Sequence, residues 1–424
     1  MDVLEVLEPG PLTTVQDLGR YGYQRYGVPS SGAMDTFALR VANLLVGNPE
    51  GAAGLEMTLA GLQVRILADT VFAVTGADMR PRLDDRLVPM WRAVAAPKGA
   101  TLSLGAARAG ARAYLAVAGG IDVPVVLGSR STYLRSRLGG LDGRPLQAGD
   151  VLRVQGIVPP STIEGRRIAP RLIPRRGGSQ TVRVVLGPQD DRFTREGIRT
   201  FLSSVYAVAA QSDRMGYRFE GPRIQHKVSA DLVSDGSPHG AVQVPGDGTP
   251  IVLLADRGTA GGYTKIATVI TVDLARLAQA CPGDRILFQA VSVEEARAAL
   301  VREDAVLQQI RTSAPRVFAR RLVTTMADGS RCEATIPFQD EETIERGRDT
   351  IALNVGGETY RVAVTRPEST GGREVESRPM EATADAASGP EQPLPTRGRA
   401  AAAAVAVAAA LAAEPRPRDF PIDA

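Results

Sequence analysis

Side chains able to grip an anion or polarise an amide collect in three glycine-rich stretches of this chain. The first, Gly10 to Asp35, holds Gln16, Asp17 and Arg20, then Ser30, Ser31 and Asp35. The second is Gly128-Ser-Arg-Ser-Thr, with Arg130 at its centre. The third runs from Asp213 to Lys265 and carries Arg214, Tyr217, Ser234, Gln243, Asp256, Thr259, Gly261, Gly262, Tyr263 and Lys265. Arg20, Arg130 and Arg214 bring permanent charge and a planar fork of donors that suits carboxylate or phosphate. With Asp256, which can orient such a group, they are the candidate catalytic residues. The others are candidates for holding substrate or cofactor. Gln243 both donates and accepts, as reading an amide or ureido group requires. Gly261-Gly262 can present N–H groups as an anion nest, and Lys265 can neutralise phosphate. Plainer roles stand beside these: an Asp17–Arg20 ion pair bracing a loop, a structural turn at Arg130, Asp35 as a simple helix cap, a solvated strand lysine at 265.

The rest of the composition narrows the field. At 424 residues, 44% hydrophobic and 23% charged, the chain has the make-up of a soluble globular protein of two or three domains. Aromatics are only 4%, so the cores must be built from Val, Leu, Ile and Ala. A net charge of +3 without aromatic-basic interleaving argues against nucleic acid as a partner. Two cysteines, Cys281 and Cys332, and two histidines, His226 and His239, exclude a histidine-rich metal site and supply a His-based triad poorly. His239 lies in the third stretch, where an ordinary imidazole titrates near neutrality, but it stands alone. Acids occupy the N-terminus where a secretory signal carries Lys or Arg. No long apolar run precedes the Ala-rich tail. A cytoplasmic, non-membrane protein is therefore expected. No glycine pattern is followed by Lys-Ser or Lys-Thr, so no P-loop is expected, and no Ala-Met-Lys-Met motif offers a biotin attachment site.

The elements that must position these residues are mainly short strands. Val3–Pro9 reads as a first strand, and Asp35 precedes a helix over Thr36–Leu45 that Gly47-Asn-Pro stops. The apolar period then becomes two. Leu55–Leu59, Leu62–Ile66, Thr70–Val74, Thr101–Leu104, Arg112–Val117 and Ala148–Val154 are predicted strands, and Asp84-Asp-Arg a hairpin tip. Residues 156–180, rich in Pro, Gly and Arg, read as a linker. A second block repeats the order from Thr181, with helices predicted over Asp191–Leu202, Thr271–Gln279 and Val293–Ile310. Ile251–Leu254 is a short buried strand with a polar loop at each end. Many short strands with few helices point to barrels. The predicted organisation is a first barrel at 1–155, the linker, a second barrel at 181–312, a small β-module at 316–366 with a turn at Gly356-Gly357, and a low-complexity tail at 368–424.

Three long motifs carry a family resemblance: Gly10-Pro-Leu-Thr-Thr-Val-Gln-Asp-Leu-Gly-Arg with Gly27-Val-Pro-Ser-Ser-Gly-Ala-Met-Asp, Gly119-Gly-Ile-Asp-Val-Pro-Val-Val-Leu-Gly-Ser-Arg-Ser-Thr, and Ser234–Tyr263. Over about residues 1–300 the chain resembles the biotin-dependent carboxyltransferase family. Within it, the likeness is to the KipA- or PxpC-like component of bacterial 5-oxoprolinases and to the second carboxyltransferase segment of urea amidolyase. The resemblance implies a mainly β fold of two cyclophilin-like barrels. It also implies two partner proteins, one KipI/PxpB-like and one PxpA-like, and ATP with Mg²⁺ as the activating cosubstrate. The sequence departs from the family at Asp235, where Glu is usual, and at His239.

The implied activity is ATP-dependent opening of 5-oxo-L-proline to L-glutamate within a heteromeric complex. Such chemistry needs cations and N–H groups around phosphate more than it needs a nucleophile. Two further expectations stand beside it. One is carboxyl transfer from a biotin carried on another protein to urea or a small amide. The other is a KipA-like binding protein that regulates its partner without turnover.

Overall fold

In the computed structural model, residues 1–156, 163, 165–174 and 177–312 are described with their side chains, and Ser313 and the strands of the C-terminal unit by their backbone. The predicted Gly356-Gly357 turn, part of the 156–180 linker and the 368–424 tail lie outside the described residues. Met1–Pro315 forms one compact unit, and Arg316 begins another. The fold is mostly β with four α-helices among the described residues, and one of its sheets is a closed barrel.

In the first half, the expected barrel takes the form of two facing sheets. One has six strands, in the order Val151–Arg153, Asp2–Glu8, Gln63–Ile66, Thr101–Ser103, Arg82–Leu83 and Arg86–Leu87. The other has five: Thr13–Gln16, Gly54–Thr58, Arg112–Val117, Thr70–Gly76 and Ala93–Ala96. Alternation along these strands points Val3, Val64, Leu55, Leu115 and Phe72 into the space between them. The second face of the five-stranded sheet is also covered. Helix Thr36–Leu45 packs Leu39, Val41 and Leu45 against it, joined by Leu307 and Ile310 and by Ile163 and Ile168 from the linker. Sheets covered on both faces bury whatever their strands carry, charged residues included. The hairpin at Asp84-Asp85 forms as expected, with both residues at positive φ between Arg82–Leu83 and Arg86–Leu87.

The second half closes into a seven-stranded barrel, in the order Gln180–Leu186, Lys265–Val269, Ala241–Gln243, Ile251–Leu253, Gly216–Glu220, Val205–Val208 and Arg285–Ala290. The last strand returns to the first and pairs with it in parallel, Gln180 opposite Ile286. The interior concentrates the chain's few aromatics. Phe201 stacks on Phe288 at 4.7 Å between ring centres, and Phe219 meets Phe288 edge-on at 5.6 Å. The helix predicted at Asp191–Leu202 begins later, at Arg195, because Thr194 caps it through Gly197 N. The long helix Val293–Ser313 opens with a reciprocal cap, in which Glu295 N donates to Ser292 Oγ and Ser292 N to Glu295 Oε2.

Outside the barrel, Asp231–Gly236 and Ala260–Tyr263 form a separate two-stranded ribbon, Asp235 opposite Gly261. In the C-terminal unit, Phe318–Thr325 pairs with Arg331–Phe338, and Asp349–Val355 with Glu358–Val364, all antiparallel.

Candidate functional site

The structure sorts the polar residues of the glycine-rich stretches into three groups with different chemistry. The first group ties loop to loop. The Asp17 carboxylate accepts hydrogen bonds from Gly19 N (2.8 Å), Ser129 Oγ (2.7 Å), Ser131 Oγ (2.5 Å) and Arg130 N (2.6 Å). Four donors on two oxygens consume most of its accepting capacity. Arg20 does not pair with it in the described structure. Its fully buried guanidinium donates instead to the carbonyls of Val126 (3.1 Å) and Ser131 (2.8 Å), while Nη1 is left without a partner. Burial lowers the pKa of Arg20 from its ordinary value, with Asp17 and Asp256 opposing. Gly139 makes room for this arrangement: at φ 67° its Cβ would lie 2.3 Å from the Ser131 carbonyl. Arg130 turns to the Val123 carbonyl (2.9 Å) and lies 3.5 Å from Asp122. Gln16 donates to Thr14 Oγ1 and to the Thr132 carbonyl.

The second group is a buried seam between the two halves. Arg214 donates to Asp256 through Nε (2.8 Å) and Nη2 (3.2 Å), to the Gly32 carbonyl through Nη2 (2.7 Å), and to Glu56 through Nη1. Burial alone would lower its pKa, but the two carboxylates raise it. Glu56 also accepts from Met34 N (2.8 Å) and Tyr114 Oη (2.7 Å). Asp35 caps its helix through Ala38 N (2.8 Å) and accepts from Gln279 Nε2 (2.7 Å). Tyr217, buried in the barrel core, accepts from Arg112 Nη1 at 2.5 Å and donates to the Ala280 carbonyl at 3.1 Å. Arg214, Asp256, Asp35 and Tyr217 are thus held by other protein groups. Ser31, at φ 52°, donates its N–H to the Ala255 carbonyl and leaves its buried Oγ unpartnered.

Glu56 and Arg112 were not among the residues expected from sequence. Their one signal is a charged residue within a strand that is otherwise apolar, in a sheet with a helix pattern just before it. His239 beside this seam is half-buried. Burial first, then Arg257 and Arg214, hold its pKa down to about 3. It is therefore neutral at physiological pH and too weak a base to carry protons there.

The third group differs in kind. Gln243 stands between the core residues Val242 and Val244, so it faces away from the barrel interior. Lys265 lies opposite it in the paired strand and precedes the core residue Ile266. Beneath the ribbon Gln243 and Ser237 both approach Gly261, and Lys265 reaches Asp235. Lys265 Nζ, Gln243 Nε2 and Ser237 Oγ are all buried, and none has a hydrogen-bond partner in the described structure. The Lys265 ammonium is fully buried, and its one ion pair is Asp235 at 3.6 Å, whose carboxylate is largely exposed. Gly261 lies close over Gln243 and Ser237. A Cβ there would fall 2.6 Å from Gln243 Nε2 and 3.1 Å from Ser237 Oγ. Gly262 packs under the Leu232 carbonyl, and Thr259 accepts from Ser237 N through its own carbonyl. Ser234 lies exposed in the ribbon strand, and Tyr263 is 42% exposed at the ribbon's end.

Beyond Gln243 opens a cleft of about 790 Å³, lined also by Tyr263, Gly216, Asp213, Arg135 and Arg218. Its size suits a small-molecule site. The structure therefore brings together Gln243, Gly261, Gly262, Tyr263, Lys265, Ser234 and Thr259, and adds Ser237 and Asp235. Gln16, Asp17, Arg20 and Arg130 make the contacts of the first group instead. Buried polar groups without partners are costly unless something else satisfies them. Buried donors left without partners fit a ligand oxygen that carries or gains negative charge.

The family model for the carboxyltransferase domain, subdomain A and B, matches residues 26–290. The 5-oxoprolinase C subunit of Escherichia coli (strain K12) is 43% identical over 295 residues, which cover 69% of this chain and 93% of that protein. Urea amidolyase of Saccharomyces cerevisiae is 35% identical over 325 residues, 72% of this chain but 18% of that protein. The crystal structure of urea carboxylase from Kluyveromyces lactis matches with a TM-score of 0.70 and 30% identity, covering 84% of this chain and 33% of that one.

Proposed function

This chain belongs to the carboxyltransferase family of subdomains A and B, and from that membership we propose that it is the PxpC/KipA-like component of an ATP-dependent 5-oxoprolinase. The proposed reaction opens the lactam of 5-oxo-L-proline to give L-glutamate, with one KipI/PxpB-like and one PxpA-like protein as partners. The observation that carries this reading is the pocket of unpaired donors at Ser237, Gln243 and Lys265. It is supported by the match along 93% of the E. coli protein.

A lactam is a poor electrophile, and activating it places negative charge on the carbonyl oxygen. Lys265 Nζ, Gln243 Nε2 and Ser237 Oγ are fixed donors positioned for such an oxygen, in a site shielded from water where they act strongly. Asp235 holds the Lys265 ammonium from its exposed side. ATP, when bound, supplies the phosphoryl group that converts the amide oxygen into a leaving group. Arg135 and Arg218 on the cleft wall are the cations suited to its phosphates. In this proposal the Mg²⁺ arrives with the nucleotide.

Co-expression of the chain with its PxpB-like and PxpA-like partners, followed by assay of glutamate formed from 5-oxoproline, tests the reading. ATP-dependent glutamate is the expected result; a folded complex that makes none overturns it. A second reading rests on the fold match to urea carboxylase. In it the same donors hold a ureido or urea oxygen, and the carboxyl group comes from a biotin on another protein. Carboxylation of urea that appears only with an added biotinylated carrier identifies this alternative.

A further inference from the structure

Helices Thr36–Leu45, Thr271–Leu277 and Val293–Ser313 meet around a hollow of about 300 Å³ that shares no lining residue with the cleft. Its apolar wall includes Phe37, Val272, Ala275 and Ala299. Most of its polar lining is already committed. Asp273 accepts from Arg183 N, Nε and Nη2 at 2.7–2.9 Å and lies 3.6 Å from Arg276. Gln279 donates to Asp35 and to the Arg112 carbonyl and accepts from the backbones of Ala111 and Arg112. Two lining side chains remain without hydrogen-bond or ion-pair partners among the described residues: Glu303, half-buried, and Arg302, exposed at the rim. A half-buried carboxyl without an ion-pair partner is costly to hold charged. Beside a free guanidinium and a hollow at the small end of ligand-pocket volumes, it has the complement of a small molecule bearing both charges.

We propose that this hollow is a second ligand site, for a small zwitterion of the α-amino acid type, whose ammonium pairs with Glu303 and whose carboxylate pairs with Arg302. The site is placed to act on the seam. Gln279 reaches from its wall to Asp35, which caps helix Thr36–Leu45, and to the backbone of Arg112. A ligand that braces these helices therefore bears on the groups around Arg214. The hollow would serve this role whichever reaction the cleft performs.

Titration calorimetry of the full chain with glycine, L-alanine and L-glutamate, and with methylamine and acetate as the two halves of a zwitterion, tests it. Saturable binding of an amino acid is expected, and neither half alone should match it. Losing one charge-assisted contact should weaken binding about tenfold, so Glu303→Gln and Arg302→Met are each expected to do so. Ala275→Leu, which fills the hollow without touching a charge, should abolish binding, with circular dichroism confirming that each variant folds. The carboxyl of Glu303 is pushed up to about 7, first by burial and then by Asp35, Asp304 and Asp273, with Arg40 opposing. Arg183, Arg276 and Arg302 also face the hollow. Affinity should therefore fall as pH drops from about 8 to about 5. The proposal is overturned if no amino acid saturates, if methylamine or acetate alone binds as tightly, if the variants bind as the parent does, or if affinity is flat across that pH range.

Discussion

The barrel half contributes to two clusters of buried polar groups, and they are built on opposite principles. At the seam, Arg214 faces two carboxylates and a carbonyl, and every one of its nitrogens is engaged. Under the ribbon, Lys265 Nζ, Gln243 Nε2 and Ser237 Oγ are buried without a hydrogen-bond partner among the described residues. A saturated cluster has committed its interactions to the protein and holds the two halves together. An unsaturated one retains them for something the protein does not contain. Burial and charge alone do not distinguish a site from a brace. Where the unmet donors lie does, since single unmet atoms also occur at Arg20 Nη1 and Ser31 Oγ.

The contrast breaks most sharply at the seam. Glu56→Ala leaves Arg214 and the neighbouring Arg112 short of a counterion in a dry interior and is expected to cost about 3–5 kcal/mol, read from denaturant midpoints. If stability is unchanged, the seam is not a brace. Under the ribbon, Lys265→Met should show the reverse pattern. The reconstituted reaction is expected to slow by about 10²–10³-fold, while the denaturation midpoint stays level or rises, because a buried charge without a hydrogen bond has been removed. Slower catalysis together with collapsed stability would make Lys265 another brace. Gly261→Ala sharpens the same point. Gly261 is not among the glycines held at positive φ, but the added methyl presses on Gln243 Nε2. Roughly tenfold weaker substrate binding at near-constant stability, the loss of one well-made hydrogen bond to a charged group, is expected from steady-state kinetics. A pH-dependent effect lies at Glu303, an unpaired group outside both clusters. Its folded pKa of about 7 exceeds the ordinary 4.5, so protonation favours the fold, and the parent loses stability as pH rises between those values. Glu303→Gln should raise the melting temperature at about pH 8 and leave it unchanged below about pH 4.

Much of the scaffold was legible in the sequence because its signals are local. Period-two runs located Gly54–Thr58, Gln63–Ile66, Thr70–Gly76 and Arg112–Val117 within a residue or two, and Asp35 and Ser292 marked helix starts. Glycine-rich loops flagged Gln243, Gly261 and Lys265. What sequence could not supply is which polar group meets which. Arg214 and Glu56 belong to different halves, and only their meeting shows that Arg214 is spoken for. Asp17 and Arg20 invited pairing by their spacing. The loop Ser129–Ser131 supplies better-placed donors to Asp17, so Arg20 turns to carbonyls instead. Ser237 carried no signal at all, being one serine in a polar loop.

The parallel pairing of Gln180–Leu186 with Arg285–Ala290 sets an order in time. As the chain leaves the ribosome, at roughly 5–20 residues per second, the first half has both of its sheets complete at Arg153. The barrel cannot close until its final strand has been made. Gln243 and Lys265 lie on strands of a sheet that stays open during that interval. The clamp around Asp17 can thus be finished while the donor pocket still has no floor. A synthesis pause or truncation before Arg285 is expected to leave the barrel unclosed, because Arg285–Ala290 supplies its final strand.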